Sequence, residues 1–202
     1  MDNLYTFVQK LEEEGELIRI HSSVSATLEI TEIVERVSKG PAKSNKALLF
    51  ENVQGYDMPV LINMFGSAKR MSMALHVDQL EDLNTKLSEL LDLNLPSTPR
   101  EGLSRGLQIV KALRTVGLSP RMKKNAPVQE VVITENPTLD ILPVLKCWPC
   151  DGGPFITLPQ VVTRDPVKGT RNVGMYRLQK VDGQTLLVHW QRHKGGAEHE
   201  RV

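Results

Sequence analysis

Residues 171–196 read RNVGMYRLQKVDGQTLLVHWQRHKGG. NVGMYRLQ and TLLVHWQRH are rich in β-branched and aromatic residues, and Asp182-Gly183 lies between them. Such runs around Asp-Gly predict a β-hairpin, because a type I′ turn needs φ > 0 at both central positions. Counting outward from a two-residue loop opposes Val181 to Gln184, Leu178 to Leu187, Tyr176 to His189 and Asn172 to His193. Opposed residues carry Cβ atoms about 4.5–5.5 Å apart. An amide and an imidazole would then meet at the open end. Lys194-Gly195-Gly196 follows, where glycines let successive backbone N–H groups converge on an anion. Asn172, His193, the lysine and the glycine turn suit a metal bridged to a phosphate. They equally suit an ordinary hairpin with a polar end, and the residues alone leave both readings open.

Upstream the chain alternates helices and strands. Asp2 is the expected cap of a helix through Leu4, Phe7, Val8 and Leu11, ended by Gly15. Glu16–Ile20 alternates as a strand. A helix opened by Ser25 or Thr27 carries the stripe Leu28, Ile30, Ile33, Val34, Val37 up to Gly40-Pro41. Lys46–Phe50 and Val60–Met64 read as strands, and Ser67 as the cap of a helix over Ala68–Leu75. Helices are expected over Leu80–Leu93 and Leu103–Val116. From Pro127 the texture turns to strands: Val131–Ile133, Ile156–Thr163, then a turn from Asp165-Pro166 to Gly169 leading into the hairpin. The stretch LDILPVLKCWP, broken by Pro143 and Pro149, reads as an edge or a loop. The fold class is thus α/β (α+β): an N-terminal α/β domain with linker over residues 1–125, then consecutive antiparallel strands over 126–202.

Composition removes several function classes. The 202 residues carry a net charge of +1, so no global field draws the chain to nucleic acid or to a membrane surface. The segment from Arg100 to Lys124 is basic, but no aromatic residue interleaves with it, so a solvated face is the expected reading. No apolar run reaches the roughly 18 residues of a membrane span, and MDNLYTFVQ has no signal-peptide pattern. A cytoplasmic protein is expected. Cys147 and Cys150 form a single CWPC, read as incidental thiols in a reducing compartment. His189, His193 and His199 with Glu198 have a spacing zinc sites use, but Gly195-Gly196 interrupts them.

NVGMYR, HWQRHKGGA and the upstream DGGPFITLP (residues 151–159) resemble three segments of the UbiD family of prenylated-flavin decarboxylases. They stand in the family's order, and YTFVQKLEEEGELIRI resembles its opening helix and strand. The resemblance implies that residues 126–202 form part of a split β-barrel that holds the flavin. It implies metal ligation by Asn172 and His193 beside the cofactor phosphate. One nitrogen among oxygen ligands suits Mn2+ better than Mg2+, and the family adds the possibility of K+. It places Met175, Tyr176 and Arg177 in one flavin-contacting segment, and His189, Trp190, Gln191, Lys194 and Gly195 in a second. Trp190 also suits a plain core position. Arg177 is the implied catalytic residue, gripping a substrate carboxylate with two parallel hydrogen bonds. Thr157 sits where relatives approach substrate.

The implied activity is the non-oxidative, reversible decarboxylation of aromatic or α,β-unsaturated acids, quinone-precursor aromatic acids first among them. The implied partners are the acid substrate, a flavin prenyltransferase that supplies prenylated FMN, and either a second copy or a missing C-terminal half. The family's metal-binding glutamate and proton-transferring acids fall beyond Val202, so this polypeptide alone is expected to be inactive. A non-catalytic α/β module that binds a partner chain is the competing expectation. One geometric tension stands: residues 172 and 177 differ by an odd number, so a regular strand sends them to opposite faces. A bulge at Gly174, or a strand that starts after Asn172, is expected to resolve it.

Overall fold

The computed structural model describes residues 3–91, 106, 107, 110 and 124–202. Apart from residues 106, 107 and 110, the helix expected over Leu103–Val116 lies outside these residues, as does most of the basic segment. The chain divides into two compact units. One combines Met1–His76 with Asn136–Val202, and the other is Val77–Glu135.

In the first unit, helix α1 (Leu4–Glu13) is capped by Asn3, whose Oδ1 accepts the Thr6 N–H at 2.9 Å. Asn3 thus takes the role expected of Asp2, which is not among the described residues. Gly15, at φ +64°, turns the chain into β1 (Leu17–Ile20). Helix α2 (Glu29–Lys39) crosses to β2 (Ala47–Phe50), which pairs parallel with β1. β3 (Val60–Ile62) adds antiparallel on the other side of β2. The alternation of α2 buries Ile30 against Leu48, Phe50 and Val53. Phe7 and Leu11 of α1 pack on Ala47 from the other cluster. Ser67 caps α3 (Ala68–Leu75), as expected.

Arg70 of α3 is fully buried. Its guanidinium donates to Glu16 Oε2 at 3.0 Å, to the Asn45 carbonyl at 2.7 Å and to Asn45 Oδ1 at 2.9 Å. A buried charge needs such partners, and only the Arg70 Nε goes without one among the described residues. The group joins α3 to the start of β1 and to the entry of β2.

The strands after residue 136 form two sheets, and no closed barrel appears among the described residues. The three-stranded sheet runs β4 (Phe155–Ile156), β7 (Leu178–Lys180), β8 (Leu186–Val188), all antiparallel. The two-stranded sheet pairs β5 (Gln160–Arg164) with β6 (Arg171–Met175). The continuous strand expected over Ile156–Thr163 is therefore two strands, broken around Pro159. Val131–Ile133 is not a strand; these residues are exposed and unpaired. In the second unit, α4 (Glu81–Leu91) follows the expected leucine spacing.

Two corrections concern the hairpin. Lys180 pairs with Leu186 and Leu178 with Val188, one residue off the expected register. The cause is the turn. Asp182 Oδ1 accepts the Gln184 N–H at 2.8 Å, and Val181 N–H bonds to the Thr185 carbonyl at 3.0 Å. Asp182, Gly183 and Gln184 make a three-residue loop closed by an aspartate side chain, with no positive φ at Asp182 or Gly183. Gly183 is needed for a different reason: a Cβ there would lie 2.6 Å from Thr138 Oγ1 and 2.8 Å from Asp140 Oδ2. The second correction is that β6 does not continue the hairpin. It pairs with β5 in unbroken register, and the chain changes sheets between Met175 and Leu178. Asn172 therefore faces Thr163, not His193, across the ladder. The tension between residues 172 and 177 is resolved by that change of sheet, with neither a bulge at Gly174 nor a late strand start.

Candidate functional site

The β5–β6 turn is built by Asp165, whose Oδ1 accepts the N–H groups of Val167 and Lys168, both at 2.8 Å. The Lys168 bond has the larger effect, and together the two hold the Asp165 carboxyl below the usual aspartate range despite its burial. Gly169, at φ +69°, closes the turn. From it, alternation turns Thr163 and Asn172 inward as a pair. The chain after β8 passes through Trp190 and the His193-Lys194 turn into helix α5 (Gly195–Arg201), which lies along β5 and β6.

This brings Asn172 and the turn together by another route than the expected ladder. A Cβ on Gly195 would fall 2.5 Å from Asn172 Oδ1, so only glycine lets the amide sit there. Asn172 Nδ2 points to Thr163 Oγ1 at 3.5 Å and to the Tyr176 hydroxyl at 3.4 Å. Its Oδ1 accepts no hydrogen bond from the described residues. His193, Lys194 and Gly195 line a cavity of about 640 Å³ with Arg192, Glu198 and Arg201. The lining is mostly cationic, which suits an anionic ligand. An amide oxygen and an imidazole are a donor pair for a borderline divalent cation, and a bound phosphate would complete the set. The residues present fit such a group. No cluster of three His, Cys, Asp or Glu that could hold a metal alone occurs among the described residues, the histidine–glutamate alternative included.

The other expected site residues divide. Tyr176 is buried, at 5% exposure, and its ring meets Trp190 edge-on with centroids 4.8 Å apart. The one-residue register shift accounts for this partner, since it puts Trp190 where His189 was expected. His189, Gln191, His193 and Lys194 are exposed, and Met175 is 65% exposed. Arg177 projects elsewhere. Its guanidinium carbon lies 4.3 Å from the centre of the Phe155 ring, a cation–π stack. Phe155 and Thr157 line a second, apolar cavity of about 520 Å³ together with Met58, Phe65, Leu142 and Leu158.

Thr163 and Phe155 were missed by the sequence reading, and His199 entered it only in the zinc alternative. Thr163 Oγ1 lies 2.9 Å from His199 Nδ1. Counting outward from the Asp165–Gly169 turn, instead of from Asp182-Gly183, opposes Thr163 to Asn172 and was the available signal. Cys147 and Cys150 are free thiols. No helix among the described residues is long and apolar enough to cross a membrane.

Two family models match in succession. The 3-octaprenyl-4-hydroxybenzoate carboxy-lyase N-terminal domain matches residues 8–90, and the 3-octaprenyl-4-hydroxybenzoate carboxy-lyase Rift-related domain matches residues 120–202. An uncharacterised protein of Aquifex aeolicus is 47% identical over 197 residues, which is 98% of this chain and 40% of that protein. Among solved structures, the vanillic acid decarboxylase of Sedimentibacter hydroxybenzoicus in closed form superposes with a TM-score of 0.75 at 25% identity, covering 98% of this chain and 39% of that one. The UbiD-class enzyme HmfF of Pelotomaculum thermopropionicum, in complex with FMN, gives a TM-score of 0.73 at 26% identity, covering 97% and 38%. The chain spans about 40% of the length of the relatives it matches.

Proposed function

The chain belongs to the UbiD carboxy-lyase family, and from that premise we propose that it is the flavin-holding N-terminal portion of a prenylated-FMN-dependent, non-oxidative and reversible decarboxylase of aromatic or α,β-unsaturated acids. The observation that supports this most is the seating of the Asn172 amide against Gly195, beside a cavity lined by Arg192, His193 and Lys194. In the proposal Asn172 and His193 hold Mn2+, with K+ as a further cation, and Lys194 and Gly195 face the flavin phosphate. Met175, Arg177, His189 and Gln191 stand on the flavin side, and Tyr176 and Trp190 support them from within. Residues 126–202 are the flavin-binding region and 1–125 the preceding domain.

When bound, the prenylated flavin supplies the electron sink for carbon dioxide release. The chain's own task is to bind and orient. The planar Arg177 guanidinium matches a carboxylate and is the group that holds the acid in this proposal. The stack on Phe155 leaves the edge of the guanidinium free to donate two parallel bonds. A flavin prenyltransferase supplies the cofactor, a second copy or further chain completes the assembly, and the protein works in the cytoplasm.

The test is FMN binding, followed by flavin fluorescence with and without Mn2+. FMN should bind more tightly with Mn2+ present, and His193→Ala should abolish that gain. Absence of flavin binding under both conditions refutes the proposal. The exposed Val162 and Val173 favour a second reading, a non-catalytic module that docks on a partner chain. A chain that self-associates yet binds no flavin selects it.

A further inference from the structure

Three glycines mark one spot. A Cβ on Gly174 would lie 2.5 Å from the Tyr176 ring, and one on Gly196 would lie 2.8 Å from the Tyr176 hydroxyl and 2.4 Å from the Trp190 ring. Gly195 is held open by Asn172 in the same way. The tyrosine thus fills, between β6 and α5, the space that Cβ atoms on Gly174 and Gly196 would take. Its hydroxyl accepts the buried Gly196 N–H at 2.9 Å and stands 3.4 Å from Asn172 Nδ2. Thr163, itself 2.9 Å from His199, approaches the same Nδ2 from the opposite strand.

The geometry points to Tyr176 and Thr163 as positioning residues that fix the flip of the Asn172 amide and lock the His193–Gly196 turn to β6. This deepens the proposed metal site and rests on that reading. The physical reason is the symmetry of an amide. Rotated by half a turn, Asn172 would present an NH2 where a cation needs an oxygen. A Thr163 hydroxyl that gives its hydrogen to His199 Nδ1 has only lone pairs left for the amide, so it takes the nitrogen side, with the Tyr176 oxygen beside it, and Oδ1 faces the turn. Each contact to Nδ2 is long, so the preference comes from the pair acting together. The Tyr176 hydroxyl also joins the strand that carries Asn172 to the turn that carries His193, so one side chain sets the separation of both donors. Tyr176 therefore acts behind the site, although its sequence neighbours Met175 and Arg177 are exposed.

The experiment uses the full 202-residue chain, unaltered and as Tyr176→Phe, Thr163→Val and Thr163→Ser. Amide exchange at Gly196 is followed by NMR without metal, and Mn2+ affinity by electron paramagnetic resonance. In Tyr176→Phe the Gly196 N–H loses its acceptor and should exchange about fivefold faster or more. Mn2+ affinity should fall about tenfold in Tyr176→Phe and in Thr163→Val, and Thr163→Ser should restore it. Unchanged Gly196 exchange in Tyr176→Phe overturns the clamp. Unchanged Mn2+ affinity in a folded Thr163→Val, with only its melting temperature lowered, reduces the pair to a structural role and overturns the inference. If the unaltered chain binds no Mn2+, the metal site itself is refuted, and Gly196 exchange alone decides whether Tyr176 locks the turn.

Discussion

Glu16 and Arg70 carry opposite charges where little water reaches them. Burial pulls the Glu16 pKa upward, but hydrogen bonds from Lys46 and Arg70, with the charges of Lys46 and Lys69, outweigh it and leave the pKa below the ordinary value of 4.5. A carboxylate depressed on folding stabilises the native state above its unfolded pKa, and loses that contribution as pH falls through the folded value. Acid unfolding should therefore begin below about pH 4.5, and Glu16→Gln should flatten that part of the profile. At neutral pH the same change should cost about 2–3 kcal/mol by urea unfolding, because Arg70 keeps its charge and loses its counter-charge. The glycine beneath Tyr176 makes a second test at this scale. Gly174→Ala forces a Cβ into the ring at 2.5 Å. It should destabilise the chain by about 1–3 kcal/mol, seen as a lower urea midpoint with an unchanged slope.

At the level of elements, the turn at Asp182 shows why a correct element can carry a wrong register. The hairpin of β7 and β8 was legible, because β-branched runs around Asp-Gly admit little else. Its register was not, because Asp182 has two ways to close a turn. Its side chain bonds the Gln184 N–H, and the Leu139 N–H bonds the Gly183 carbonyl at 2.7 Å from a segment over forty residues upstream. A long-range partner of that kind leaves no local pattern. The change of sheet after Met175 was hidden for the same reason: alternation runs on through Tyr176 and Arg177, and only the partners differ. Yet Asn172 still meets the turn after His193, since helix α5 carries that turn to β6. Gly183→Ala tests the docking of the loop. Its Cβ would strike Thr138 and Asp140, and Asp140 holds Lys180 at 2.8 Å. Amide exchange at Leu139 should rise, with a stability loss of about 1–2 kcal/mol.

At the scale of the whole molecule, one face of the two-stranded sheet is left uncovered by the described residues. Alternation places Val162 and Val173 directly opposite one another on that face, at 61% and 55% exposure, with Met175 beside them. A sheet of two strands with one apolar face in water is marginal by itself, and contiguous exposed apolar residues drive association. A second copy of the 202-residue chain can cover such a face. We therefore expect concentration-dependent self-association in sedimentation velocity. The double change Val162→Lys and Val173→Lys puts like charges opposite each other, so it should abolish the association at a small cost in stability. Neither residue lies among those assigned to flavin or metal, so FMN affinity should persist in the doubly changed chain. A loss of both properties together would mean that the flavin site is completed by a second copy, and that association and cofactor binding are one event.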